Sequence, residues 1–146
     1  MTTPVLEVLL PIHNEAESIE ATLREIYGAV ARVVSVRFLL CEDGSTDGTP
    51  EVLARLAREL PIRLFSGQER KGYSRAVIDG FRRVDAPWVF FLDSDGQIDP
   101  SVFASAWPKR EAYDVIIGWR VQRADALYRR LMSRAFRAVY LSLIHI

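Results

Sequence analysis

Three times before residue 85, a short apolar run is followed by a polar loop and then by apolar residues at helical spacing. That alternation leaves few folds open. Strands joined by helices lie parallel, and a parallel sheet needs helices over both faces to cover it. Val5–Leu10 is the first run, followed by Pro11, and Asn14 opens a stretch in which Ile19, Leu23, Ile26, Tyr27 and Val30 recur at helical spacing. Val33–Cys41 is the second, broken by the acidic loop Glu42–Gly48, after which Thr49 is placed to cap a helix that has Pro50 at its first position. Val52, Leu53, Leu56 and Leu60 give that helix its apolar side. Ile62–Phe65, the polar loop Gly67–Gly72 and the helical set Ala76, Val77, Gly80, Phe81 and Val84 complete the third unit.

Trp88–Leu92 is continuously apolar, as expected of a strand covered on both faces, and it stops at Asp93-Ser-Asp-Gly-Gln97. Val115–Ile117 is a candidate fifth strand. From Ala126 onward, Leu127, Leu131, Ala135 and Val139 recur every four residues with Arg129, Arg130, Arg134 and Arg137 between them, which predicts an amphipathic basic helix. The expected fold class is therefore α/β, a mostly parallel sheet with helices on both faces. In such sheets ligands bind beyond the carboxyl ends of the strands, where the loops Pro11–Asn14, Glu42–Asp47 and Asp93–Gln97 all fall.

Charge narrows the partners. The 19 basic and 19 acidic residues cancel, which argues against a nucleic-acid coat. Their distribution is uneven: residues 1–118 carry 13 basic against 18 acidic side chains, and residues 119–146 carry six against one. A chain of 146 residues buries roughly 70% of its unfolded surface, so no disulfide or metal staple is needed for folding. The single cysteine, Cys41, ends an apolar run and reads as a buried, inert thiol. Neither a secretory signal nor a transit peptide is expected from residues 1–4, and no window reaches the roughly 18 apolar residues of a membrane span. The last six residues, Leu141-Ser-Leu-Ile-His-Ile146, look like an in-frame read of a transposon end used in sequencing libraries. The expected domain is therefore 1–140, cut short at its carboxyl end, with 141–146 foreign to it.

Asp93 and Asp95 stand one residue apart just past a strand, so both carboxylates can approach one point at the sheet edge with Gln97 beside them. Oxygen ligands of this kind suit Mg²⁺ or Mn²⁺, which take their remaining ligands from water and substrate phosphates. Asp-Ser-Asp-Gly also reads as an ordinary turn. A calcium loop does not fit the register: with Gly96 at its sixth position, Phe91 and Val102 occupy the first and twelfth, where ligands are required. Carboxylates of the second loop, Glu42-Asp-Gly-Ser-Thr-Asp-Gly48, could hydrogen-bond a nucleobase or ribose, although a tight turn and helix cap explain the loop equally well. For Pro11-Ile-His-Asn-Glu15, a helix cap at Asn14 and an acidic first turn at Glu15 give a purely structural account.

Taken together, these loops resemble the nucleotide-sugar half of family-2 glycosyltransferases, and within them the polyprenyl-phosphate glycosyltransferases, the group of dolichyl-phosphate mannose synthase. The resemblance is carried by Pro11-Ile-His-Asn-Glu-Ala-Glu17, Glu42-Asp-Gly-Ser-Thr-Asp-Gly-Thr49, Lys71-Gly72, Phe91-Leu-Asp-Ser-Asp-Gly-Gln97, Asp114-Val-Ile-Ile-Gly-Trp-Arg120 and Arg129-Arg-Leu-Met-Ser-Arg134. It implies a Rossmann-like GT-A fold and transfer of a hexose, with inversion, from a GDP- or UDP-linked sugar to a dolichyl or undecaprenyl phosphate. Pro11, His13, Asn14, Glu15, Asp43, Ser45, Lys71, Asp93 and Ser94 would bind the nucleotide sugar. Asp93, Asp95 and Gln97 would hold Mg²⁺ or Mn²⁺ on its diphosphate, with Asp93, Asp95 and Arg120 as the catalytic set. Arg120, Arg129 and Ser133 would face the acceptor phosphate; Arg129 and Ser133, four apart, share one helix face. The chain departs from the family where Glu69-Arg70 replaces an Asn-containing glycine loop.

The implied lipid acceptor places the protein on the cytoplasmic face of a membrane, peripherally, with its basic segment toward an anionic leaflet. Transfer to a saccharide or glycolipid acceptor, and a fragment that binds a nucleotide sugar without turning it over, are the alternatives.

Overall fold

The computed structural model describes residues 4–118. Four parallel strands, β1 (Leu6–Ile12), β2 (Val36–Glu42), β3 (Ile62–Ser66) and β4 (Trp88–Phe91), form a sheet of order β3-β2-β1-β4. Helices α1 (Ile19–Val30), α2 (Thr49–Leu56) and α3 (Tyr73–Phe81) link them in turn, and a short helix α4 (Val102–Ala106) and a 3₁₀ turn (Trp107–Glu111) follow β4. The compact unit they build ends at Asp114. Among the described residues, no helix is long and apolar enough to cross a membrane.

All seven residues of β1 are buried, because its side chains alternate between two covered faces. Leu6, Val8, Leu10 and Ile12 join Phe38 and Leu40 of β2 against α1, α2 and Phe103 of α4. Ile19, Leu23, Ile26 and Val30 of α1 are at most 3% exposed there, each burial stabilising by about 1.5–3 kcal/mol. On the opposite face, Leu9, Leu39 and Cys41 lie under α3 and Phe65. A Cβ on Gly80 would stand 2.6 Å from Leu9 Cδ1 and 3.0 Å from Cys41 Sγ, so glycine there lets α3 approach the sheet. The Cys41 thiol is buried, and burial raises its pKa.

Several expectations need correcting. Val33 and Val34 do not begin β2: their amides donate to the Val30 carbonyl and close the last turn of α1. α3 starts earlier than its apolar spacing suggests, at Tyr73, and Val84 follows it. Among the described residues, β4 is fully covered on one face only. It is an edge strand paired only with β1 among the described residues; Trp88 and Phe90 pack on the core, whereas Val89 and Phe91 on the other face are 37% and 36% exposed. On that second face Phe91 meets Phe81 of α3, with ring centroids 5.7 Å apart. Val115–Ile117 is not a strand, and its side chains are exposed.

Glu7, on the central strand and fully buried, was not anticipated. Its Oε1 accepts from Arg37 Nε at 3.0 Å and Nη2 at 2.7 Å, and its Oε2 accepts from the Asp85 amide at 2.9 Å. Asp85 in turn bonds Arg37 and Arg63. The whole group lies near the amino ends of the strands, with every buried charge partnered.

Candidate active site

The strand order places β2 on one side of β1 and β4, reached through α3, on the other, and a crevice opens beyond the carboxyl ends of β1 and β4 where the order reverses. Pro11 helps to open it. Contrary to the expected break after Leu10, Pro11 lies inside β1, opposite Cys41 of β2. The Ile12 carbonyl faces β2, where it accepts from Asp43, and the Leu9 carbonyl faces β4, where it accepts from Leu92. By alternation the missing N–H of Pro11 falls on the β4 side, and the β1–β4 ladder ends there. A cavity of about 380 Å³ occupies the gap, lined by residues that include Pro11, His13, Glu15, Asp43, Arg70, Tyr73, Asp93, Ser94 and Asp95.

Two walls of this cavity are stitched together. The Asn14 amide donates to Ser45 Oγ at 3.0 Å while its Oδ1 accepts from the Thr46 amide at 2.9 Å. The Glu15 amide donates to Thr49 Oγ1 at 2.8 Å, the Ala16 amide to Asp47 Oδ2 at 3.1 Å, and His13 Nδ1 to the Asp43 carbonyl at 3.0 Å. Asn14 is therefore not the cap of α1, which begins after Ser18; it takes the left-handed conformation, φ 54°, that Asn tolerates, and spends its side chain on the neighbouring loop. Thr49 is the first residue of α2 rather than its cap, Gly48 preceding it. Its hydroxyl donates to Asp47 Oδ1 at 2.5 Å, and that bond lowers the Asp47 pKa.

Asp43 is buried, and its two carboxylate oxygens accept from the amides of Lys71 and Gly72, each at 2.8 Å. These bonds fix the start of α3 against the end of β2. Gly44, φ +61°, makes the approach possible, since a Cβ there would stand 2.5 Å from the Arg70 nitrogen and 2.6 Å from the Glu69 carbonyl carbon. Asn14 and Ser45 support the walls without lining the cavity. Lys71 is turned aside: its ammonium lies 3.7 Å from Asp79, and it lines a neighbouring shallow depression. Arg70 lines the cavity in its stead.

The third wall is the loop after β4. Asp93 is half-buried, Ser94 buried and Asp95 exposed. The Gln97 amide donates to Asp95 Oδ1 at 3.0 Å, a turn within the loop. Asp93 Oδ1 accepts from the Tyr73 hydroxyl at 2.6 Å, and this bond, with burial and the charges of Asp93 and Asp95, pushes the Tyr73 pKa up to about 12. Tyr73 is thus a protonated donor at any neutral pH. Among the described residues, neither Asp93 nor Asp95 has an ion pair, and no three His, Cys, Asp or Glu side chains converge as a ready-made metal cage. Two unpaired carboxylates on one cavity wall still match the donor set of an Mg²⁺ or Mn²⁺ that draws its other ligands from water and phosphate. Sequence reasoning missed Arg70 and Tyr73; the acidic character of the facing wall was the one available hint that a cation and a donor stand opposite. Arg120, Arg129 and Ser133, and the expected basic helix, lie outside the described residues.

Comparison with known proteins agrees with this architecture. The sequence model named Glycosyl transferase family 2 matches residues 7–144. An undecaprenyl-phosphate 4-deoxy-4-formamido-L-arabinose transferase of Photorhabdus laumondii is 28% identical over 92% of this chain and 42% of its own length, and one of Yersinia pestis is 27% identical over 88% and 41%. The chain thus spans about two fifths of these relatives. Among solved structures, the mannosyltransferase PcManGT of Pyrobaculum calidifontis, in complex with GDP-Man and Mn²⁺, superposes with a TM-score of 0.57 and 30% identity over 64% of this chain and 28% of that one. Residues 1–349 of S. aureus TarS, in complex with UDP-GlcNAc, give 0.64 at 15% identity, over 83% of this chain and 37% of that fragment, a likeness of fold alone. The fold is GT-A, with a parallel sheet and flanking helices. With a family match running through nearly all of its length, over the very loops that build the cavity, the chain belongs to glycosyl transferase family 2.

Proposed function

We propose that this chain is the donor-binding part of an inverting glycosyltransferase that moves a hexose from a UDP- or GDP-linked sugar onto a polyprenyl phosphate. The observation that carries the reading is the meeting of Asp93 and Asp95 with Pro11, His13, Glu15 and Asp43 around one cavity at the reversal point of the sheet. Four carboxylates face Arg70 there, so an anionic diphosphate enters favourably only with a cation beside it. Asp93 and Asp95, with Gln97, are the residues proposed to hold that Mg²⁺ or Mn²⁺, which when bound would neutralise charge growing on the departing diphosphate. PcManGT, solved with GDP-Man and Mn²⁺, supports both the donor class and the ion.

Pro11, His13, Glu15 and Asp43 are proposed to receive the nucleoside, with Asn14 and Ser45 holding the loops in place and Ser94 completing the donor set; Lys71, its ammonium directed at Asp79, is proposed to contribute through its amide, which holds Asp43. The carboxylate oxygens of Asp43 keep acceptor capacity beyond the two amides they already bind. In the reaction, an acceptor phosphate oxygen attacks the anomeric carbon as the bond to the diphosphate oxygen breaks. The electron pair leaves with the nucleoside diphosphate, and the configuration inverts. A phosphate monoester with a second pKa of about 6 is mostly dianionic at neutral pH, so it needs little help from a general base.

Arg120, Arg129 and Ser133 are proposed to face the acceptor phosphate, and the basic stretch 119–146 the anionic cytoplasmic leaflet. The similarity to undecaprenyl-phosphate 4-deoxy-4-formamido-L-arabinose transferases supports this acceptor. The test is to incubate the protein with UDP- or GDP-linked radiolabelled hexose and undecaprenyl phosphate in vesicles. Solvent-extractable label that requires Mn²⁺ is expected. Label carried into added oligosaccharide instead would overturn the acceptor assignment, and nucleotide-sugar binding with no transfer would leave a binding module.

A further inference from the structure

We propose that Tyr73 is a positioning residue for Asp93, its hydroxyl holding one carboxylate oxygen so that the other is presented to a divalent cation. The inference rests on the metal-dependent reading above and adds to it a residue outside the segments that carry the family resemblance. Its basis is geometric. The Tyr73 hydroxyl donates to Asp93 Oδ1 at 2.6 Å across the cavity both residues line. Among the described residues it is the bond that ties Asp93 to another element, since Asp95 receives its bond from Gln97 within its own loop.

Tyr73 is itself well placed to act as an anchor. It is the first residue of α3, directly after Gly72, whose amide is held at 2.8 Å by the buried Asp43 carboxylate. Asp43 is in turn joined to β1 through its own amide, which donates to Ile12. A line of contacts therefore runs from the sheet through Asp43, Gly72 and Tyr73 to Asp93. The terminal torsion of an Asp side chain is broad. A carboxylate on an edge loop thus gains its orientation from whatever donor meets it, and donors behind metal-bound carboxylates set ligand geometry in this way.

The experiment compares the wild-type protein with Tyr73→Phe, which keeps the ring and removes only the donor. Binding of Mn²⁺ in the presence of UDP or GDP is followed by the EPR signal of the free ion; nucleotide affinity in EDTA and the melting temperature are measured alongside. Weakening of Mn²⁺ binding by about tenfold is expected, with metal-free nucleotide affinity and melting temperature unchanged. In an Asp93→Asn background the same substitution should have no further effect, because the cycle isolates the pair. Unchanged or tighter Mn²⁺ binding by Tyr73→Phe would overturn the proposal, as would a parallel loss of metal-free nucleotide binding, which marks a merely structural role. If wild-type protein binds nucleotide equally with Mn²⁺ and with EDTA, the metal-dependent function itself falls and the role of Tyr73 with it.

Discussion

The two ends of the sheet treat carboxylates in opposite ways. At the amino ends of the strands, Glu7 is fully buried yet bonded to Arg37 and to the Asp85 amide, with Arg63 closing the group. At the carboxyl ends, Asp93 and Asp95 line a cavity and meet a hydroxyl and an amide, with no ion pair among the described residues. Charge that serves stability is neutralised within the fold. On the proposed function, the charge of Asp93 and Asp95 is left for a ligand to neutralise, so the same residue type carries different consequences at the two ends.

The contrast can be broken from either side. The largest effect is expected from Arg37→Met, which leaves the buried Glu7 carboxylate with the Asp85 amide and, for a cation among the described residues, Arg63 at 3.7 Å. A loss of about 3 kcal/mol in chemical denaturation is expected, as for other buried pairs stripped of one partner. Gly44→Ala comes next, since its Cβ would enter the Glu69–Arg70 backbone at a positive φ. A loss of about 2 kcal/mol is expected, accompanied by weaker nucleotide binding because the cavity wall moves. Thr49→Val removes the acceptor for the Glu15 amide and the donor to Asp47, for about 1 kcal/mol by the same measurement.

Asp93→Asn and Asp95→Asn should each leave stability within about 0.5 kcal/mol, although they remove charges as surely as a change at Glu7 would. A destabilisation as large as that of Arg37→Met would mean that the acidic wall is structural. The smallest effect concerns Glu20, half-buried on α1 beside Arg55 of α2, whose carboxyl is lowered to about 2 by hydrogen bonds from Arg55 and then Arg24. Its contribution is present above the ordinary value of 4.5 and is lost as pH falls toward 2. Solvent screening keeps it slight, so Glu20→Gln should barely flatten the acid limb of the stability curve.

Much of this was legible in the sequence because it depends on local pattern. The alternation of apolar runs and helical spacing located β1 to β4 and α1 to α3 within a few residues, and the polar loops after the runs marked the side of the sheet that carries the cavity. What escaped depends on contacts between distant residues. Glu7 reads as a polar interruption of a strand until Arg37 and Asp85 are brought beside it. Periodicity cannot tell that Asp43 grips the Lys71 and Gly72 amides, so it cannot tell that Lys71 turns toward Asp79 while Arg70 and Tyr73 face the acidic pair. The continuous apolar stretch of β4 predicts cover on both faces, but hydrophobicity does not distinguish a central strand from one that, among the described residues, pairs on one side only.

The central claim is that Asp93 and Asp95 recruit a divalent ion through which a nucleoside diphosphate is held. The direct measurement is calorimetric titration of UDP and GDP into wild-type protein and into Asp93→Asn/Asp95→Asn, each with Mn²⁺ and with EDTA, alongside thermal melts. Wild-type binding should tighten about tenfold or more with Mn²⁺, and the double variant, melting as the wild type does, should lose that gain. A Mn²⁺-dependent gain of the same size in the folded double variant would contradict the account.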